Sequence, residues 1–248
     1  MKYKSIGRLT ETGLVTAFYT TIENYAWKFG RDGALENFTD LAHTLGINRE
    51  DMVMVQQKHT DRIKAVTHAN GGEMITHIPS DNEYDGMITN EKNLLLCTLE
   101  ADCVPVYLLD PVNSVIGMVH SGWRGTAANI SVNAAGSMAE NYHSKPEDLL
   151  IVIGPHICTS CYEVGAELMD DFSYKYTEPE MLRFFKNRKG DKYHLDLAQA
   201  IIISLERIGV KSENIYNTGL CTKESSDLCS WRRDNPVMKS MLTGIMLR

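Results

Sequence analysis

Residues 99–126 constrain the fold more than any other part of the chain. They read Leu-Glu-Ala-Asp-Cys-Val-Pro-Val-Tyr-Leu-Leu-Asp, then a turn, then Val-Ile-Gly-Met-Val-His-Ser-Gly-Trp-Arg-Gly-Thr. Residues 104–109 and 115–119 are apolar on alternate and intervening positions alike, the pattern of strands covered on both faces. Pro111, Asn113 and Ser114 turn the chain between them. If the two strands pair antiparallel, the start of the first lies beside the end of the second, so Cys103 and His120 meet. A thiolate beside an imidazole makes either a transition-metal site or a nucleophile–base pair.

The surrounding elements read as mixed α and β. Residues 14–20, 52–55, 87–89, 94–98, 149–153, 214–217 and 242–247 have β character. Residues 32–45 carry Leu35, Phe38, Leu41, Ala42 and Leu45 at helical spacing, with Gly46 as a stop. Residues 126–142 predict one helix with Ala127, Ile130, Ala134, Met138 and Tyr142 on one face, and residues 195–208 predict another. The charged segment 170–192 reads as a peripheral insertion. With no repeat and no Pro- or Gly-rich linker, 248 residues suit one domain.

Composition excludes several functions. A net charge of −7 argues against nonspecific nucleic-acid binding, which needs basic surface. No apolar run approaches the roughly 18–20 residues that span a bilayer. The amino-terminal residues lack a signal-peptide core, so a cytoplasmic protein with reduced cysteines is expected. The six cysteines include a C-x-x-C at Cys158 and Cys161, half of a zinc ribbon or a redox pair. The second half is not found in Cys221 and Cys229, which seven residues separate, so this pair reads as loop cysteines.

His59, in Gln-Lys-His-Thr, is a third group able to join Cys103 and His120. Two imidazoles and one thiolate leave a fourth tetrahedral position open, as in catalytic zinc sites. Asp102 precedes Cys103 at a strand mouth, where a carboxylate has little packing value; it suits general acid/base work or the orientation of an imidazole. Gly122 and Gly125 flank Trp123 and Arg124, and a helix starting near Thr126 would offer its positive end, beside Arg124 and Gly125, to an anion such as phosphate. Cys103 with His120 or His59 as base would alternatively make a cysteine hydrolase.

Nine ordered blocks carry a resemblance. They are Gln57-x-His59, Asp85-Gly86, Ala101-Asp102-Cys103-Val104-Pro105, His120-x-Gly122-Trp123-Arg124-Gly125, Ile153-Gly154-Pro155-x-Ile157, Cys161-Tyr162-Glu163-Val164, Leu195-Asp196-Leu197, Cys221-Thr222 and Ser230-x-Arg232-Arg233. In this order they resemble the laccase-domain family, also called YfiH-like or multicopper polyphenol oxidase-like proteins, from about Val15 to the end. The resemblance implies a single α/β domain, an αββα-type sandwich of stacked mixed β-sheets flanked by helices. It implies zinc on His59, Cys103 and His120, with copper as the ion of the older label. It also implies phosphorolysis of adenosine, inosine, guanosine and methylthioadenosine, and adenosine deamination. Purine nucleosides and inorganic phosphate are then the partners, without nucleic acid or membrane, for a monomer or small homo-oligomer. Asp85, Arg232 and Arg233 join Arg124 and Gly125 as expected substrate-binding groups, and Asp102 joins the three metal ligands as catalytic. An oxidase would need a larger histidine array than eight scattered residues supply.

The family pattern is altered in four places. Residues 19–27 replace the usual amino-terminal turn, and Asn37-Phe38 stands where an Asn-Arg pair is common. Trp231 replaces a Tyr, and Lys239-Ser240 replaces a Gly-Arg. An inactive relative that binds a nucleotide or a partner protein is the non-enzymatic alternative.

Overall fold

Period-two alternation sorts the strand residues onto two faces, and both faces are apolar. In the computed structural model, which describes residues 3–23, 33–235 and 239–248, these strands form two stacked sheets. One has five strands in the order Tyr3–Ser5, Val15–Thr20, Met241–Leu247, Leu95–Glu100 and Met52–Met54. The other has six, in the order Ile215–Asn217, Leu150–Ile153, Val104–Asp110, Val115–Ser121, Gly86–Thr89 and Ile63–Ala65. Most pairs are antiparallel; the outermost strands Met52–Met54, Ile63–Ala65 and Ile215–Asn217 are parallel to their neighbours.

Val15, Ala17, Leu96 and Ile245 of the first sheet meet Met87, Tyr107, Leu109, Ile116, Met118 and Val152 of the second in a core between the sheets. The alternate residues Phe18, Leu95, Cys97, Leu242 and Met246 face outward, onto Phe38, Leu41 and Leu45 of the helix Ala34–Leu45. On the far side, Val104, Val106, Leu108, Ile151 and Ile153 pack under the helices Ile130–Tyr142 and Leu197–Arg207. The result is helix, sheet, sheet and helices, the αββα sandwich implied by the resemblance. Each buried Leu, Ile, Val, Phe or Met contributes about 1.5–3 kcal/mol.

The central hairpin has the expected register. Pro105 pairs with His120 and Val104 with Ser121, which brings Cys103 to the end of the neighbouring strand. Its turn is held by Asp110, whose Oδ1 accepts from the backbone N–H groups of Val112 (2.8 Å) and Asn113 (3.0 Å).

Three expectations require correction. The helix expected over 126–142 is two helices, Trp123–Ala127 and Ile130–Tyr142, because Asn129 is left-handed at φ 62° and breaks the ladder. The helix expected over 195–208 begins at Leu197, since Leu195 ends a strand and Asp196 caps the helix by accepting from Gln199 N–H at 2.9 Å. Segment 170–192 is not peripheral. Phe172, Tyr176, Phe184, Phe185 and Tyr193 form a chain of ring contacts at 5.1–5.8 Å and enter the main core. Their strands, Phe185–Lys189 and Lys192–Leu195, join Glu163–Gly165 in a small third sheet. The charges that suggested an insertion face outward, from the short helices Leu168–Ser173 and Glu178–Met181 as well as from this hairpin. Residues 24–32 lie outside the described structure, and with them residues 24–27 of the altered amino-terminal block and Asp32 of the first expected helix.

Candidate metal centre

Asp85 is the buried hub of the site. It immediately precedes the strand Gly86–Thr89, and its carboxylate gathers the loop that carries His59. The backbone N–H groups of Lys58 (3.0 Å), His59 (3.0 Å) and Thr60 (2.6 Å) all donate to it, as does Thr60 Oγ1 at 2.9 Å. This turn holds His59 at φ 60°, a conformation that non-glycine residues rarely adopt without support. Gln57 fixes the other end of the loop, exchanging two 2.8 Å hydrogen bonds with the backbone of Leu99. Asp85 Oδ1 also lies 2.8 Å from His120 Nδ1, which leaves Nε2 to face the site.

The three expected ligands converge. His59, Cys103 and His120 present ligand atoms all within 4.8 Å of one another. Cys103 Sγ is 3.8 Å from His59 Nε2, and the two imidazole rings stand edge to face at 5.0 Å between centroids. Burial pushes the Cys103 thiol up, but His120 and His59 outweigh it and bring its pKa down to about 6. Cys103 is therefore a thiolate at neutral pH, the form that binds metals and attacks carbon. Asp85 itself is raised by burial but held below the ordinary carboxylate range by His120 and the N–H groups of Thr60 and Lys58. The donor set of two nitrogens and one sulfur, with an exposed His59 on one side, fits a divalent zinc with an open position.

Glu100 is a buried neighbour of the centre that sequence reasoning missed. It is fully buried, neither carboxylate oxygen has a hydrogen-bond partner, and Oε2 lies 3.8 Å from His120 Nε2. Burial raises its pKa to about 8, against the opposing pull of His120. The only sequence signal was a carboxylate at the end of an otherwise apolar strand.

Other expected residues take varied places. Asp102, at φ 88°, turns the chain so that Cys103 faces the centre; its two oxygens accept from Thr222 Oγ1 and Arg232 N–H, both at 2.6 Å. Asp85 and Arg233 do not line the cavity. Arg233 is spent on the carbonyls of Thr222, Lys223, Ser225 and Leu228 and on Asp234. Arg124 is exposed, 4.2 Å from the Trp123 ring, and also outside the cavity wall. Because the short helix starts at Trp123, Gly125 lies inside it rather than at an anion-binding start. Its role is space: a Cβ there would stand 3.2 Å from Thr60 O, against the His59 loop. At Gly122 a Cβ would stand 2.6 Å from His59 Cδ2 and 3.1 Å from Cys103 Sγ. Gly122→Ala should therefore spread His59 and Cys103 and weaken the affinity of this centre for an added divalent metal by about tenfold or more, the scale of a disturbed outer shell. Competition with a chromogenic chelator measures this, and unchanged affinity would refute it.

A cavity of about 690 Å³ opens over the centre. Met74, Ile157, Tyr162, Trp123 and Trp231 give it apolar and aromatic walls, and Arg232 and Lys239 supply positive charge. Arg232 reaches across the Tyr162 ring at 5.2 Å to donate to Glu163 O at 3.1 Å. Two of the four departures from the family pattern, Trp231 and Lys239-Ser240, thus line this wall, whereas Phe38 is buried outside it, against the five-stranded sheet.

Residues 23–248 match the family described as multi-copper polyphenol oxidoreductase laccase. The chain belongs to that family. Its members include relatives named purine nucleoside phosphorylase: YlmD of Bacillus subtilis is 32% identical over 216 residues, covering 86% of this chain and 77% of its own. A relative so named from Staphylococcus epidermidis is 35% identical over 189 residues, covering 76% of this chain and 69% of its own. The crystal structure of the hypothetical protein YfiH of Bacillus licheniformis superposes with a TM-score of 0.90 at 30% identity, covering 99% of this chain and 96% of that one. Among the described residues no helix is long and apolar enough to cross a membrane.

Proposed function

We propose that this family member is a zinc-dependent purine nucleoside phosphorylase that accepts adenosine, inosine, guanosine and methylthioadenosine, with adenosine deamination as a second reaction. The convergence of His59, Cys103 and His120 on one wall of a nucleoside-sized cavity carries this reading. The names of the relatives support it. Its cysteines are free, which suits a reducing, cytoplasmic location.

A zinc held by these three residues would supply Lewis-acid charge at the cavity wall. The chain's own groups do the positioning. Tyr162, Trp231 and Ile157 offer flat apolar contact to a purine. Arg232 and Lys239 hold phosphate, so that one of its oxygens attacks C1′ as the C1′–N9 bond breaks and the base leaves with the bonding pair. The departing purine takes up the proton that the attacking hydrogen phosphate gives up, and Asp102, the carboxylate on the cavity wall beside Cys103, relays it. The products are the free base and ribose 1-phosphate. In deamination, water adds at C6 and ammonia leaves.

Purified protein incubated with adenosine, with and without phosphate, tests this directly. Phosphate-dependent release of adenine supports phosphorolysis, and inosine supports deamination. Adenine release independent of phosphate, or no release from any of the four nucleosides, would overturn it. Arg232→Ala should raise the phosphate KM about tenfold, the loss of one charge-assisted contact of about 1.5 kcal/mol. Arg124→Ala should leave it within about twofold, since its guanidinium lies on Trp123 outside the cavity wall. The reverse ranking would transfer phosphate binding to Arg124.

A further inference from the structure

The C-x-x-C at Cys158 and Cys161 has a second half after all. It is distant only in sequence: Cys221-x-x-Glu224 repeats the two-residue spacing 60 residues after Cys161, with a carboxylate in place of the fourth thiol. The backbone brings the halves together. His156 and Cys221 form a β-bridge, in which His156 N–H donates to Leu220 O at 3.1 Å and Thr222 N–H to His156 O at 2.9 Å. Cys158, Cys161, Cys221 and Glu224 then present three sulfurs and an oxygen all within 4.8 Å of one another.

The spacing is that of a coordination shell. Tetrahedral zinc, with sulfur at about 2.3 Å and oxygen at about 2.0–2.2 Å, sets sulfur–oxygen edges of about 3.5 Å. Glu224 Oε1 lies 3.5 Å from Cys161 Sγ and 3.7 Å from Cys158 Sγ. Glu224 is an exposed residue, yet its carboxylate turns to the two sulfurs. Cys221 Sγ is buried and accepts the backbone N–H of Cys158 at 3.3 Å, a bond that steadies a thiolate in a short metal-binding turn. Four ligands complete the shell, which leaves no open position and marks a structural site.

We infer that Cys158, Cys161, Cys221 and Glu224 form a second, structural zinc site, separate from the centre of His59, Cys103 and His120. Its place in the fold gives it a task. Cys158 and Cys161 lie between Ile157 and Tyr162, which line the cavity. Cys221 precedes Thr222, which donates to Asp102 beside Cys103. The ion staples these two loops into one wall, where short turns would otherwise depend on a few backbone hydrogen bonds.

Zinc analysis of the full-length protein, purified without added chelator, tests the site. Cys158→Ser/Cys161→Ser should hold one zinc equivalent fewer than wild type, and Glu224→Gln should bind this equivalent more weakly. Zinc addition should raise the wild-type Tm beyond any rise in the double variant. An unchanged zinc content in the double variant would overturn the proposal. Should that variant not fold, differential alkylation of the wild type with peptide mapping decides. Cys158, Cys161 and Cys221 should be labelled only after chelation. Equal labelling with and without chelator, or a disulfide among the three in protein handled without reductant, sinks the assignment. Amide exchange should rise in 156–162 and 219–225 on metal removal; no rise would refute the stapling role.

Discussion

Cys103→Ser should lose the pocket zinc and lower kcat/KM by more than about 100-fold, because even outer-shell partners of metal ligands cost 10–100-fold. A neutral hydroxyl is a poor substitute for the thiolate that His120 and His59 maintain, with a pKa of about 6. The same low pKa suits a hydrolytic nucleophile, so thiolate reactivity alone does not separate the two chemistries. Dependence on chelation does. As a metal ligand, Cys103 resists iodoacetamide in the zinc-loaded protein and reacts after the metal is stripped. As a nucleophile it reacts in both states, and Cys103→Ser keeps its zinc. The experiment is best read peptide by peptide, because three other cysteines are expected to show chelator-dependent protection on their own account. Retained pocket zinc in Cys103→Ser, together with lost activity, would falsify the ligand assignment and favour covalent catalysis by the thiol.

Much of this centre was legible because one hairpin contains half of it. Continuous apolar runs mark residues 104–109 and 115–119 as strands covered on both faces, and antiparallel pairing then brings Cys103 toward His120; the observed Pro105–His120 register is the consequence. His59 needed more, since its loop has no periodicity. As a loop histidine it was a candidate third ligand, the ordered blocks then joined it to the other two, and its position depends on Asp85, 26 residues away. Glu100 and Cys221-x-x-Glu224 were hidden for one reason. Their significance lies in long-range proximity: Glu100 looks like a strand end, and Glu224 like a solvated loop carboxylate. Local signals also misled where two principles competed. The apolar helical spacing through 126–142 concealed the left-handed Asn129, and the charges of 170–192 concealed four aromatic residues, Phe172, Tyr176, Phe184 and Phe185, that belong to the core.

The two sheets of the αββα sandwich also explain why the site can be so densely wired. Both sheets are apolar on both faces, so the backbone around the centre rests on a rigid support. Asp102 and His59 can then be held at positive φ, at a cost of order 1–3 kcal/mol each, because neighbouring hydrogen bonds determine their positions. Among the described residues, potential metal-binding groups of three or more gather in only two places, and just two of the eight histidines take part.

Asp85→Ala should cost about 3–5 kcal/mol of stability, the scale of removing one partner from a buried charged network. The carboxylate is fully buried and accepts from three consecutive N–H groups, a threonine hydroxyl and His120. Alanine leaves those donors facing an empty space, and each unsatisfied one carries a desolvation cost of about 1–3 kcal/mol unless the loop rearranges. Rearrangement is itself informative, because the same loop carries His59 and the same oxygen orients His120. Stability and pocket metal affinity should therefore fall together. In metal-free protein the expected Tm decrease is on the order of 10 °C for a chain of this length. Asp85→Asn keeps the shape but turns an NH₂ group toward the N–H donors, so it should fall between wild type and alanine. The pH dependence has a definite sign. Because the folded Asp85 is held below its ordinary range, its contribution is complete above the unfolded carboxylate pKa and disappears as pH falls through the folded value. The alanine variant should lack that part of the acid sensitivity, so wild type and variant converge in stability at low pH. A metal-free Tm within about 2 °C of wild type at neutral pH, with zinc affinity retained, would show that the loop and His120 are held by other contacts.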